Sequence, residues 1–305
     1  MVDNSNPKMG TTIQGIPAGV NVTNVNPLAK HLRQPKIYIK LPSRGKYWPE
    51  GSLNITETGE YPVYAMTAKD EILFKTPDAL LNGQATVDVI QSCIPDVKDA
   101  WKAPSIDMDA MLVAIRMASY GELLPMKGMV PGTDIEKEFD LNLQQLLDRY
   151  TSTEFVDTFK IEGFTVQIKP VTYKTLTSQS VKAFEEQRIF QIVNNEEANP
   201  TEKLEAFQKS FKALTELNIG IVVESVTAIQ IDGEQDAVVN KAHLKEFIEG
   251  ADAKVYNQIT EHIGKEKDKF TQKPLKIEAT AEEMEKGAPK VYEMPITFDQ
   301  SNFFV

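Results

Sequence analysis

Residues Ser105 to Tyr120 read SIDMDAMLVAIRMASY. Met108, Met111, Leu112, Ile115 and Ala118 recur at spacings of three and four, the period of a helix with one apolar face, and Ser105 to Asp107 supply residue types that cap a helix start. This helix is expected to be the spine of an N-terminal core. Upstream of it, Ile37, Ile39 and Leu41 alternate with Lys36, Tyr38 and Lys40, the period of a strand with one buried face. A turn-rich stretch follows from Leu41 to Pro49 (LPSRGKYWP), and a second extended piece, Tyr61 to Met66, is placed to pair with the first, its Pro62 confining it to an edge or an end. Thr67 and Asp70 have the spacing of a capping box, which predicts a short helix there. Further short helices are expected around Pro77 to Leu81 and Val87 to Cys93, on either side of the turn at Asn82-Gly83.

Downstream, Gly128, Pro131-Gly132 and Asp134 mark turns before Phe139, Leu141 and Leu143. They predict a hairpin excursion near 121–145 and then a short helix through Leu146 and Leu147. A second hairpin is expected around Glu162-Gly163, because Phe159 and Ile161 alternate before it and Phe164, Val166 and Ile168 after it. Beyond Pro170 the pattern turns helical, from about Leu176 to Val193 and again from a start signed by Asn199, Pro200 and Glu202. Leu204, Phe207, Phe211 and Leu214 form a narrow stripe on that second helix. Packing on the chain's own domain is favoured over a coiled-coil seam, which normally sustains roughly three to four heptads. Val226 to Ile231 reads as a strand, Asn240 caps a helix ended by Gly250, and Val255, Ile259 and Ile263 make a last one.

The expected fold is therefore α+β, with a small N-terminal sheet and short helices, central β-hairpins, a mainly helical C-terminal half and extended termini. The domain division is an arm over residues 1–35, an α+β domain over 36–170, a mainly helical domain over 171–264 and a charged tail over 265–305. The arm is rich in Asn, Gly, Thr and Pro and poor in charge, so it buries too little apolar surface to offset its ordering entropy alone. An arm that wraps a neighbour and a leader that touches nothing both fit that composition. The run Lys265-Glu266-Lys267-Asp268-Lys269 reads as a solvated face, whereas Phe298, Phe303 and Phe304 at the end are expected to dock.

With 305 residues, 41% hydrophobic and 25% charged, the composition is that of a globular chain with a sizeable core. The formal net charge of −11 repels phosphate backbones and anionic lipid, so no direct nucleic-acid partner is expected. No stretch approaches the ~20 apolar residues of a membrane helix, and the first residues lack a signal-peptide pattern, so membrane insertion is not expected and synthesis in the cytoplasm is. Cys93 stands alone and reads as a buried apolar thiol; His31, His243 and His262 have no second ligand at metal spacing, and the last two read as solvated. No metal site and no cofactor are expected. Phosphate-cradling glycine loops and nucleophile elbows are missing as well. Asp107 with Asp109, and Glu185 with Glu186, do not face each other at their spacing on a helix, so no acid and base pair emerges and a cell-wall hydrolase is disfavoured. Ser43-Arg44-Gly45-Lys46 fits either an anion site or a turn in which Arg44 pairs a carboxylate of its own domain, and the second is favoured.

Several blocks in order carry a resemblance: Leu41 to Gly45, Tyr47-Trp48-Pro49, Gly51 to Leu53, Met66 to Glu71, Lys75 to Gly83, Pro104 to Asp107 and Tyr120-Gly121-Glu122. Together they resemble the small baseplate hub subunit family of T-even-type contractile-tailed phages. The resemblance implies an assembly role beside other hub proteins, with no catalytic residues to carry over. It also implies a Cys-x-x-Cys pair after the Tyr-Gly-Glu block in many relatives; here Met126 to Asp134 holds no cysteine, so turn chemistry must hold that hairpin. The expected partners are other tail and baseplate proteins, in multiple copies or a hetero-oligomer. The expected location is the host cytoplasm during assembly and then the virion tail. Expected interaction residues are Arg44, Lys46, Tyr47 and Trp48 in the turn-rich loop and Phe298, Phe303 and Phe304 at the end. A tail-assembly chaperone that binds the tape-measure protein and leaves before maturity is the alternative.

Overall fold

The expected helix of residues 105–120 is present and lies in the middle of the largest core. The structure is a computed structural model, and it describes residues 33–76, 83–193 and 200–296. Strands β1 (Pro35–Lys40) and β2 (Glu60–Tyr64) pair antiparallel, with Ile39 opposite Tyr61 and Pro62 opposite Tyr38. Thr67 and Asp70 make both halves of the capping box that starts α1 (Ala68–Phe74). Helix α2 (Gln84–Cys93) and a 3-10 turn (Ala100–Lys102) lead into α3 (Ser105–Tyr120). The helix expected around Pro77 to Leu81 lies outside the described residues.

Around α3 the burial exceeds the expected face. Besides Met108, Met111, Ile115 and Ala118, the side chains of Ala110, Val113, Ala114 and Met117 are buried, as for a helix surrounded on all sides. The start of α3 also departs from expectation: the cap position is Pro104, with no side-chain cap bond, and Ser105 is already helical. A missing cap costs about 1 kcal/mol, whereas burying Met111 or Ile115 alone is worth about 1.5–3 kcal/mol. Packing therefore fixes this helix without the cap, and Asp107 is free for another task.

The hairpin excursion forms as β3 (Leu123–Met129) and β4 (Glu136–Asn142), and Asn142 caps α4 (Leu143–Ser152). Turn chemistry closes it: the Val130 amide donates to the Ile135 carbonyl at 2.8 Å, and Thr133 donates to the Val130 carbonyl through both its amide and its hydroxyl. Packing adds to that chemistry. Val130 shares a small core with Ala288, Tyr292 and Met294, contributed by elements beyond Gly264. There, after the stretch that reads as charged, β9 (Leu275–Glu278), a helical turn at Ala281–Glu285 and β10 (Val291–Met294) follow one another. Gly128 lies so close to the Met294 sulfur that a Cβ there would stand 2.2 Å from it.

The second hairpin, β5 (Thr158–Ile161) and β6 (Phe164–Ile168), joins β7 (Val226–Ile231) and β8 (Ala237–Val238) in a four-stranded antiparallel sheet. Between β6 and β7 run the long helices α5 (Tyr173–Val193) and α6 (Pro200–Ser225). Asn199, the expected cap of α6, lies outside the described residues. Helices α7 (Lys241–Gly250, capped by Asn240) and α8 (Ala253–Asp268) close a second core in which Val166, Ile168, Val222, Leu244 and Ile259 are buried. The Leu204–Leu214 stripe is not covered as expected: Leu204 and Phe211 are exposed, at 57% and 62%.

Candidate functional site

The loop between Leu41 and Pro49 is where three of the separate sequence blocks meet. Two successive turns shape it, with the Arg44 amide donating to the Leu41 carbonyl at 2.9 Å and the Lys46 amide to the Ser43 carbonyl at 3.0 Å. Arg44 has φ +53° and Gly45 φ +77°. Glycine carries such a backbone without strain, but a side chain there costs about 1–2 kcal/mol. Arg44 is the one non-glycine residue with positive φ among the described residues.

What holds the loop in that shape is Asp107, in the first turn of α3 and 0% exposed. Its carboxylate accepts from the Ser43 amide at 2.7 Å, from the Ser43 hydroxyl at 2.5 Å and from the Trp48 indole nitrogen at 2.7 Å. The Ser43 hydroxyl accepts in turn from the Gly45 amide at 3.1 Å. Hydrogen bonds to a charged acceptor are worth about 1.5–3 kcal/mol each, enough to outweigh the Arg44 strain. Burial pushes the Asp107 carboxyl up to about 6, and the bonds from Ser43 and Trp48 only partly offset it. With those donors filling its oxygens under the loop, Asp107 is placed to hold structure.

On the outer side the loop meets the segment leading into the second sheet. Lys46 pairs with Asp157, and the Tyr47 hydroxyl donates to the same carboxylate at 3.2 Å. The Tyr47 ring meets Phe155 edge-on, with centroids 5.5 Å apart. Burial and then the Asp157 charge push the Tyr47 phenol well above its ordinary pKa. Burial raises Asp157, but bonds from Lys46 and Thr158 and the Lys46 charge more than offset it, so its pKa falls below the usual carboxylate value. Glu266 secures the same segment: though it sits in the charged run of residues 265–269, it is buried, accepts from the Val156 amide at 2.7 Å and pairs with Lys269 at 2.7 Å. His262 likewise is not simply solvated, because its ring stacks on Phe159 at 3.8 Å.

Beside the loop lies a cavity of about 220 Å³ lined by Pro42, Arg44, Lys46, Tyr47, Glu154 and Phe155. The expected pairing of Arg44 with a carboxylate of its own domain does not occur. Among the described residues no carboxylate lies within ion-pair distance of the exposed Arg44 guanidinium. Lys46 and Tyr47 turn instead to Asp157, and Trp48 turns inward to Asp107. Phe298, Phe303 and Phe304 lie outside the described residues. Missed from sequence were the roles of Asp107, Asp157 and Glu266. For Asp107 a signal existed, an acidic residue in the first turn of a mostly apolar helix; the other two looked like ordinary surface charge.

Among the described residues no cluster of His, Cys, Asp or Glu is placed to hold a metal, and no helix is long and apolar enough to cross a membrane. Comparison with known proteins finds no match among curated proteins or solved structures. A family model described as T4 bacteriophage base plate protein matches residues 34–286.

Proposed function

This chain belongs to the T4 bacteriophage base plate protein family, and on that premise we propose that it is a hub component bridging other tail proteins through non-catalytic contacts. The observation that carries the reading is the family match, which spans the loop of residues 41–49 and both of its aspartate anchors. A loop fixed from beneath and from the side offers its outer residues to a partner without paying to order them on binding. Arg44, Lys46 and Tyr47 form that outward surface, and Trp48 serves it by locking the loop onto α3. The arm of residues 1–35 and the end carrying Phe298, Phe303 and Phe304 are proposed as further contacts, in an assembly of several copies or several proteins. Assembly begins in the host cytoplasm and ends in the virion tail.

The chaperone reading, with the tape-measure protein as client, draws support from the apolar side chains exposed on α5 and α6, Phe184 at 65% and Phe211 at 62%. Mass spectrometry of purified virions separates the two. A structural hub component is present at a fixed ratio to the other baseplate proteins, and absence from intact particles would favour the chaperone.

A further inference from the structure

We infer that Arg44 is the recognition group of the loop and takes a carboxylate from an acidic segment of a neighbouring baseplate protein, an inference that rests on the baseplate reading above. The position is one where glycine or asparagine would sit without strain, yet it carries a long cation at φ +53°. Strain of this kind persists where the surroundings enforce it, and here Ser43 and Trp48, both bound to Asp107, do so from either side. The two cations of the loop differ in state. Lys46 is already neutralised by Asp157, while Arg44 faces solvent beside the cavity with no carboxylate within ion-pair distance among the described residues, Glu154 on the cavity wall included.

A guanidinium fork matches carboxylate and phosphate alike. Nucleic acid, however, needs a cluster of unpaired cations, and this cavity is lined by one paired lysine and by Glu154, in a chain of net charge −11. A single carboxylate fits better, with the apolar flank of Pro42 and Phe155 beside it.

The test supplies the full chain as wild type, R44G, R44N or R44E to an infection by phage lacking its own copy, with melting curves of each purified protein. R44G and R44N should melt at or above the wild-type temperature while the yield of complete baseplates falls at least about tenfold, the loss of about 1.4 kcal/mol of contact. Second-site revertants of R44E should exchange an acidic residue for a basic one in another tail protein. Wild-type yield from R44G, lowered melting in both R44G and R44N, or revertants confined to this chain would each overturn the inference. So would duplex DNA bound by the wild type at about 0.1 M salt and released by R44G. If phage lacking the chain altogether builds normal baseplates, the hub reading itself fails; if only R44G assembles normally, the Arg44 inference fails alone.

Discussion

The loop of residues 41–49 is held on its inner side by Asp107 and on its outer side by Asp157, and the two contacts work in opposite electrostatic senses. Asp107 is fully enclosed and surrounded by neutral donors, so desolvation dominates and its charge is costly. Asp157 is partly open and faces a lysine, so its charge is favoured. The inner contact therefore supplies geometry at an electrostatic cost, and the outer one supplies a modest attraction that salt weakens. A rigid loop is built by combining them, since neither contact alone fixes both faces.

The largest effect should come from removing the inner anchor. D107A leaves the Ser43 amide, the Ser43 hydroxyl and the Trp48 indole without an acceptor, at about 1–3 kcal/mol for each buried orphan, partly offset by removal of the buried charge. A net loss of about 3–5 kcal/mol is expected in urea denaturation at pH 7; a loss under about 1 kcal/mol would show that water replaces the carboxylate.

Acidity should sharpen the contrast. Because burial raises Asp107 from 3.8 to about 6, the folded chain takes up its proton earlier than the unfolded chain does. This contribution grows as pH falls through that window, by about 3 kcal/mol in all, and vanishes in D107N. Asp157, with a lowered pKa, does the reverse, and its contribution is present at neutral pH and lost in acid. Wild-type stability measured relative to D107N should accordingly rise between pH 7 and pH 4. A flat difference would mean that Asp107 titrates normally.

The smallest effect belongs to D157A. Lys46 remains 62% exposed in its ion pair, so the expected loss is about 1 kcal/mol or less, and it should shrink further in 0.5 M salt, at about the Debye screening of that medium. A loss comparable to that of D107A would put the two contacts on an equal footing.

Much of the fold was legible because local patterns and tertiary packing agree. Alternation marked β1, β5 and β6, the Thr67–Asp70 box marked α1, and the turn at Gly163 marked its hairpin. Legibility failed where distant residues decide the outcome. Ser105 looked like a cap because its residue type favours one, but core packing starts α3 at Ser105 itself and leaves Pro104 in the cap position. Residues 265–269 looked solvated because their charges alternate, and nothing local reveals that Glu266 accepts from Val156, 110 positions away. The loop showed the same limit. Its composition suggested contacts, while the sorting of Trp48 inward, Lys46 sideways and Arg44 outward depends on Asp107 and Asp157, which only the fold brings near.

The most direct test of a prearranged loop in a baseplate component is a reconstruction of the tail at side-chain resolution. The loop of residues 41–49 should lie against another tail protein in the same conformation, Ser43 and Trp48 still on Asp107, with the Arg44 guanidinium on a carboxylate of that protein. A chain found with this loop facing solvent, or refolded away from Asp107, would contradict it.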